Sequence, residues 1–336
     1  MELLIYLILF LLVLIVSSTT NKLLPFLPLP LVQILLGIVI GLFLPNTDFH
    51  LNTELFLALV IGPLLFREAE EADVTASLKH WRIIVYLIFP VIFISTLSLG
   101  GLAHLLWFSL PLAACLAVGA ALGPTDLVAF ASLSERFSFP KRVSNILKGE
   151  GLLNDASGLV AFQVALTAWT TGAFSLGQAS SSLIFSILGG FLIGFLTAMT
   201  NRFLHTFLLS VRATDIASEL LLELSLPLVT FFLAEEVHVS GIIAVVVAGI
   251  LKASRFKKIT LLEAQVDTVT ETVWHTVTFM LNGSVFVILG MELEMIAEPI
   301  LTNPIYNPLL LLLSLIALTF VLFVIRSIMV SGYYAY

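Results

Sequence analysis

The sequence predicts an all-helical, polytopic membrane protein of about eleven spans, and three observations predict it. Hydrophobic residues fill 59% of the 336 positions and charged residues 11%, with a mean hydropathy of +1.11; no soluble fold hides that much apolar surface. The apolar residues fall in runs, most of them near the length that spans a bilayer core, about 20 residues per helix. Lys and Arg gather in alternate connections between those runs, the pattern of a chain that crosses a membrane back and forth.

Polar, Gly and Pro punctuation sets the segments at 3–17, 28–45, 54–66, 83–108, 110–133, 143–170, 182–200, 216–234, 239–251, 270–291 and 306–330. The first follows no basic leader and runs into the polar turn 17–21 instead of a small-residue cleavage site, so it reads as a retained span. The third and ninth are short and are expected to borrow turns from 67–73 and 252–254. The fifth carries Gly123-Pro124-Thr125-Asp126. Pro124 has no backbone donor and Gly123 is permissive, so a break is expected there. Residues 252–271 mix basic, acidic and apolar side chains and read as a cytoplasmic interfacial linker.

Of the fifteen Lys and Arg, all but Lys148 and Arg326 follow odd-numbered segments. Lys22 follows the first; Arg67, Lys79 and Arg82 the third; Arg136, Lys141 and Arg142 the fifth; Arg202 and Arg212 the seventh; Lys252, Arg255, Lys257 and Lys258 the ninth. Connections 45–52, 109, 171–181, 235–238 and 292–303 hold no Lys or Arg. By the positive-inside rule the N-terminus lies outside a plasma membrane and odd-numbered helices end in the cytoplasm. A single cysteine, Cys115, excludes a disulfide framework and a Cys-rich metal site, and reads as packing. The six His have no metal-ligand spacing and no phosphate-binding Gly loop occurs, so neither a cofactor nor a transition metal is expected. The expected surroundings are membrane lipid, and no nucleic-acid partner is expected.

Ionisable groups inside a membrane are expensive, so each is a functional candidate. A broken fifth helix frees carbonyls next to Asp126, an arrangement ion-coupled transporters use to line a hydrated cavity. The alternative is a Pro kink with Thr125 and Asp126 capping the next half-helix. The sixth helix carries 148–158, Lys-Gly-Glu-Gly-Leu-Leu-Asn-Asp-Ala-Ser-Gly. With a start near Val143, Asp155 lies about 18 Å deep in a core of about 30 Å, near the midplane. Desolvation disfavours a bare carboxylate there, so it holds a proton or a cation but not comfortably both, and such competition is antiport. Glu150 and Asn154 are four apart on one face, so Asn154 can orient Glu150 or add a carbonyl ligand. A purely structural polar cluster is the alternative for both acids.

Arg326, near the inner end of the eleventh helix, lies at a depth compatible with Glu150, and a buried pair would relieve both charges. As the alternative, Arg326 is a cytoplasmic flank. Lys148 is shallow enough to snorkel. Glu68 follows 62–66, Gly-Pro-Leu-Leu-Phe, and is a possible intramembrane acid, with a solvated helix end beside Arg67, Glu70, Glu71 and Asp73 as the other reading. Glu219 and Glu223, one turn apart, read as a cytoplasmic funnel wall or a wet helix end.

Thr125-Asp126, then 149–155, then 239–249, then 286–293 resemble, in order and across nearly the whole chain, the sodium/hydrogen exchanger family, in its bacterial NhaP-like branch. Residues 62–69 are similar to the family's early Pro-Leu-Leu-Phe and acid stretch. The resemblance implies the inverted-repeat cation/proton antiporter fold. Residues 1–170 would be the first six-helix repeat, 182–200 the linking helix and 216–336 an incomplete second repeat, in one exchanger domain. It implies Asp155 as carrier of ion and proton, with Thr125, Asp126 and Asn154 at the cation site, and a Glu150–Arg326 ion pair. It also implies a secondary transporter and not an enzyme, exchanging Na⁺ or Li⁺ for H⁺, one for one as the Asn154-Asp155 pair suggests, in a homodimer serving pH and sodium homeostasis.

Three departures from the family pattern stand out. Gly151 replaces a Ser that contributes to the cation site in many members, and Leu127 replaces a common Pro. Members usually have thirteen helices, and no counterpart of the last two, including the broken helix that crosses the fifth, is present up to Tyr336. The expectation is an open, water-accessible groove at helices five and six, with weak coupling in the isolated chain. Competing functions are a K⁺/H⁺ or organic-ion exchanger, a transport-dead relative, and an intramembrane aspartyl protease built on Asp126 and Asp155. The protease lacks its Gly-x-Gly-Asp context and leaves Glu150 and Arg326 without a role.

Overall fold

The computed structural model describes residues 2–24, 26–43, 52–72, 81–125, 140–171, 176–211, 215–253, 261–302 and 307–335. Every regular element among them is helical. The helices are α1 (Glu2–Leu23), α2 (Leu29–Phe43), α3 (Thr53–Phe56, continued by Leu57–Ile61 and Gly62–Glu71) and α4 (Trp81–Tyr86, continued by Leu87–Val91 and Ile92–Leu106). They continue with α5 (Leu112–Leu122), α6 (Lys141–Thr171), α7 (Leu176–Ser210) and α8 (Ile216–Glu236). The chain closes with α9 (Gly241–Ala253), α10 (Leu261–Thr302) and α11 (Pro308–Ala335). These rods fall on the eleven apolar segments in order.

Proline explains the two interruptions. In α3 the wide π-turn Leu57–Ile61 ends with the Gly62 N–H donating to Leu57 O, five residues back, immediately before Pro63. In α4 the π-turn Leu87–Val91 contains Pro90. A proline ring clashes with the carbonyl four residues earlier and offers no N–H, and a wider turn accommodates both defects without ending the helix.

Three helices clearly exceed the expected segments. The first, expected at 3–17 with a polar turn over 17–21, runs on as helix from Glu2 to Leu23, the Ser17 and Thr19 hydroxyls bonding back to the Leu14 and Ile15 carbonyls without ending it. The seventh segment, expected at 182–200, is α7 from Leu176 to Ser210. The tenth, expected at 270–291, runs from Leu261 to Thr302, so 261–269 is helix and not linker, and 292–302 is helix and not connection. No Gly or Pro occurs between 261 and 282, and polar side chains alone do not end a helix.

Among the described residues, four helices are long and apolar enough to cross a membrane by length and composition: Phe185–Ser210, Ile216–Glu236, Thr268–Leu293 and Pro308–Gly332. Their outer faces carry large apolar side chains; Phe203 and Phe323 are 69% and 70% exposed. Apolar surface on that scale marks lipid contact.

Packing divides the helices into two groups. In one, α2 lies along α10, and α9 sits among α3, α7 and α8. In the other, α5 packs between α4 and α6, and α11 lies on α4. The groups meet where α6 passes α3 and α7. Small residues permit the closest crossings, as in lipid generally: a Cβ on Gly37 would lie 2.3 Å from Val287 O on α10. A Cβ on Gly119 of α5 would lie 2.5 Å from Thr96 O on α4.

Candidate cation site

Two apolar layers hold a polar node between them. On one side Leu99 and Ala103 of α4, Cys115 of α5 and Leu318 of α11 form one buried cluster. On the other, Ile83, Ile84 and Ile88 of α4 pack with Ile146 of α6, joined by Met329 and Val330 of α11. The Tyr86 hydroxyl adds a 3.3 Å hydrogen bond to Met329 O. Ile146 is one turn before Glu150 and Val330 one turn after Arg326, so this packing fixes the rotation of both helices at the node.

Helix α5 stops at Leu122. The Gly123 N–H turns to Ala120 O at 3.4 Å, three residues back, and Pro124 supplies no donor at all. The freed Gly123 carbonyl is taken by α11: Arg326 Nη2 donates to it at 2.8 Å. The same Nη2 lies 3.3 Å from Glu150 Oε1 on α6. Glu150 is 2% exposed and Asn154 is fully buried.

Asn154 completes the node from one turn along α6. Its Nδ2 donates to Thr125 Oγ1 at 3.0 Å and to Glu150 Oε1 at 3.3 Å. The Thr125 hydroxyl lies 3.5 Å from Glu150 Oε1, to which it donates. A carboxylate can only accept, so the Asn154 amide must face Glu150 with its nitrogen. Its Oδ1 then points away, buried, and accepts no hydrogen bond from any described residue. A buried amide oxygen left without a hydrogen bond near the end of a helix is hard-cation ligand chemistry.

Thr125, Glu150, Asn154 and Arg326 thus come together. Asp155 follows Asn154 on α6, and its side chain and the whole of Asp126 lie outside the described residues. Glu68 is elsewhere, on α3 in the other helix group. Beside it Arg67 pairs with Glu70 at 3.0 Å and Glu71 at 2.7 Å. Lys252 bridges Glu70 (3.6 Å) and Glu223 (2.9 Å), and Trp274 Nε1 donates to Glu223 at 3.2 Å. Lys252, which the ninth segment is expected to borrow as an added turn, is in the last turn of α9, but its side chain is turned inward, 9% exposed, and not left at a cytoplasmic connection. Glu223, expected at a funnel wall or a wet helix end, belongs to this internal network. Glu219 pairs with His205 at 3.3 Å.

A family model described as "Sodium/hydrogen exchanger, transmembrane" matches residues 7–334. This chain belongs to the sodium/hydrogen exchanger family. The "Sodium, potassium, lithium and rubidium/H(+) antiporter" of Bacillus subtilis (strain 168) is 37% identical over 316 residues, covering 94% of this chain and 47% of that protein. Its namesake from Bacillus pumilus (strain SAFR-032) is 36% identical over 329 residues, covering 98% and 49%. The chain spans about half the length of these curated relatives. The sodium proton antiporter MjNhaP1 from Methanocaldococcus jannaschii, solved at pH 8, aligns with a TM-score of 0.67 at 21% identity, over 87% of this chain and 71% of that one. This likeness establishes the all-helical exchanger fold for the chain.

The Gly123 carbonyl as the second partner of Arg326 was not foreseen from sequence. A signal exists: guanidinium carries five N–H donors, more than one carboxylate satisfies, so a buried Arg requires a further acceptor.

Proposed function

We propose that this exchanger-family chain performs monovalent-cation/proton antiport, exchanging Na⁺ for H⁺ one for one. The observation that carries the reading is the buried Asn154 Oδ1, which accepts no hydrogen bond from a described residue and lies one residue from Asp155, on the amide whose nitrogen holds the Thr125 hydroxyl at the end of α5. In this reading Thr125, Asn154 and Asp126 offer oxygens to a cation, and Asp155 carries either that cation or a proton. Because Asn154 is neutral and hydrogen-bonded within the node, only Asp155 changes its load on α6. The Glu150–Arg326 pair stays charged and structural, and holds the broken end of α5 in place.

A wider cation range has its own support. The two Bacillus relatives are named for sodium, potassium, lithium and rubidium, so we extend the proposed substrates to Li⁺ and K⁺. The protein is proposed to work in the plasma membrane, N-terminus outside, as a homodimer surrounded by lipid, in pH and sodium homeostasis. Residues 1–170 and 216–336 are read as repeats about the linking helix.

Asp155→Asn tests the site. In vesicles with an acidic interior, Na⁺, Li⁺ or K⁺ added outside should release protons through the parent protein and not through the variant, with membrane insertion unchanged. Full exchange by Asp155→Asn would remove Asp155 from the mechanism.

A further inference from the structure

Gly158 lies inside the long helix α6, where glycine is a poor helix former and needs a packing reason. The reason is visible one helix away. A Cβ built on Gly158 would lie 2.1 Å from Pro124 Cγ and 3.0 Å from Pro124 Cδ. Carbon atoms in good contact are about 3.5–4.0 Å apart, so the proline ring fills the space a side chain would need. Gly158 is four residues beyond Asn154 and shares its face of α6. Two adjacent points on that face therefore receive two consecutive residues of the α5 break: Gly158 takes the Pro124 ring and Asn154 takes the Thr125 hydroxyl at 3.0 Å.

We propose that Gly158 is a positioning residue of the cation site: its bare Cα is the seat of the Pro124 ring, and that seat sets Thr125 against Asn154. The inference deepens the antiport reading and rests on it for its consequence in transport. An alanine side chain at this position must push the ring away by about 1 Å or more, a displacement that binding geometries do not tolerate without loss. Thr125 moves with the ring, since it is the next residue in the chain. The site then opens between its hydroxyl and amide ligands, while Glu150 and Arg326 keep their own contact.

The test pairs a transport measurement with a geometric one, in the full-length protein. Gly158→Ala is expected to raise the KM for Na⁺ about tenfold or more and to change the Na⁺/Li⁺/K⁺ ratio, with a smaller change in kcat. Gly158→Ala with Pro124→Gly is expected to recover most of the lost affinity relative to Gly158→Ala alone, because glycine lacks the Cγ and the Cδ that collide and still disfavours continuation of α5. Independently, Thr125→Cys with Asn154→Cys, in a Cys115→Ala background, is treated with a short bifunctional thiosulfonate. Cross-linking is expected to be fast with Gly158, about tenfold slower with Gly158→Ala, and restored by adding Pro124→Gly. Unchanged KM, ion ratio and cross-linking in Gly158→Ala would overturn the proposal, as would losses that Pro124→Gly does not relieve. If Gly158→Ala fails to fold, the double variant must fold again, and its failure counts against the seat. If the parent moves no protons with any of the three cations, the antiport reading falls and cross-linking alone decides whether Gly158 seats Pro124.

Discussion

Arg326 on α11 donates to the Gly123 carbonyl at the end of α5, 2.8 Å away, while the same nitrogen faces Glu150 on α6 at 3.3 Å. One guanidinium nitrogen therefore serves three helices of one packing group, and the two contacts call for different substitutions.

The charge contact predicts non-additivity. Glu150→Gln or Arg326→Gln alone leaves one uncompensated charge and should cost about 3–5 kcal/mol, whereas changing both should cost less than the sum. Melting in detergent measures it; strictly additive losses would show that the two charges do not depend on each other. Arg326→Lys keeps the charge and loses the planar fork, so it should still melt lower than the parent.

The bridge in the other helix group predicts a reversal of the usual order of damage. Lys252→Met leaves Glu223 without its cation, while Glu70 keeps Arg67, and should lower the melting temperature, by about 3 kcal/mol in stability terms. Adding Glu223→Gln should bring part of it back, although a second residue has been altered. If Lys252→Met with Glu223→Gln melts below Lys252→Met, Lys252 does not hold the two acids together.

Topology is predicted loop by loop. Single cysteines placed at 171–181, 235–238 and 292–303 in a Cys115→Ala background should react with an impermeant reagent from outside, and those at 136–142 and 252–258 should not. Labelling of one basic loop from outside would overturn both the orientation and the span count.

Much of this was legible in the sequence because it is local. Apolar run length and Gly-Pro punctuation each depend on neighbouring residues, and the helices among the described residues fall on the segments those signals mark. The end of α5 at Leu122 follows from Pro124 alone, since a missing donor needs no tertiary context. What could not be read depends on contacts across long stretches of chain. The Arg326 contact with Gly123 spans 203 residues, and the Trp274 contact with Glu223 joins separate helices. Lys252 followed an apolar run as loop lysines do, and only packing against α3 and α8 carries it inward. Pro124 reads as a breaker on its own helix and Gly158 only as the last residue of the 148–158 run, and nothing local says that one fits into the other.

The wide turn at Pro90 has a consequence for how α4 faces its neighbours. Ile83, Leu87, Val91, Ser95, Leu99 and Ala103 are all buried, at a uniform spacing of four residues. In an unbroken α-helix of 3.6 residues per turn, a row spaced by four drifts by about 40° per step and would swing by about 200° from Ile83 to Ala103. A π-turn adds one residue to a turn and returns about 100° of that swing. Pro90 thus acts as a phase correction that keeps one seam of α4 turned toward α5, α6 and α11 along its length. A deletion of one residue within 87–91 would leave hydropathy and span length almost unchanged and would rotate Leu99 and Ala103 out of register with Cys115 and Leu318.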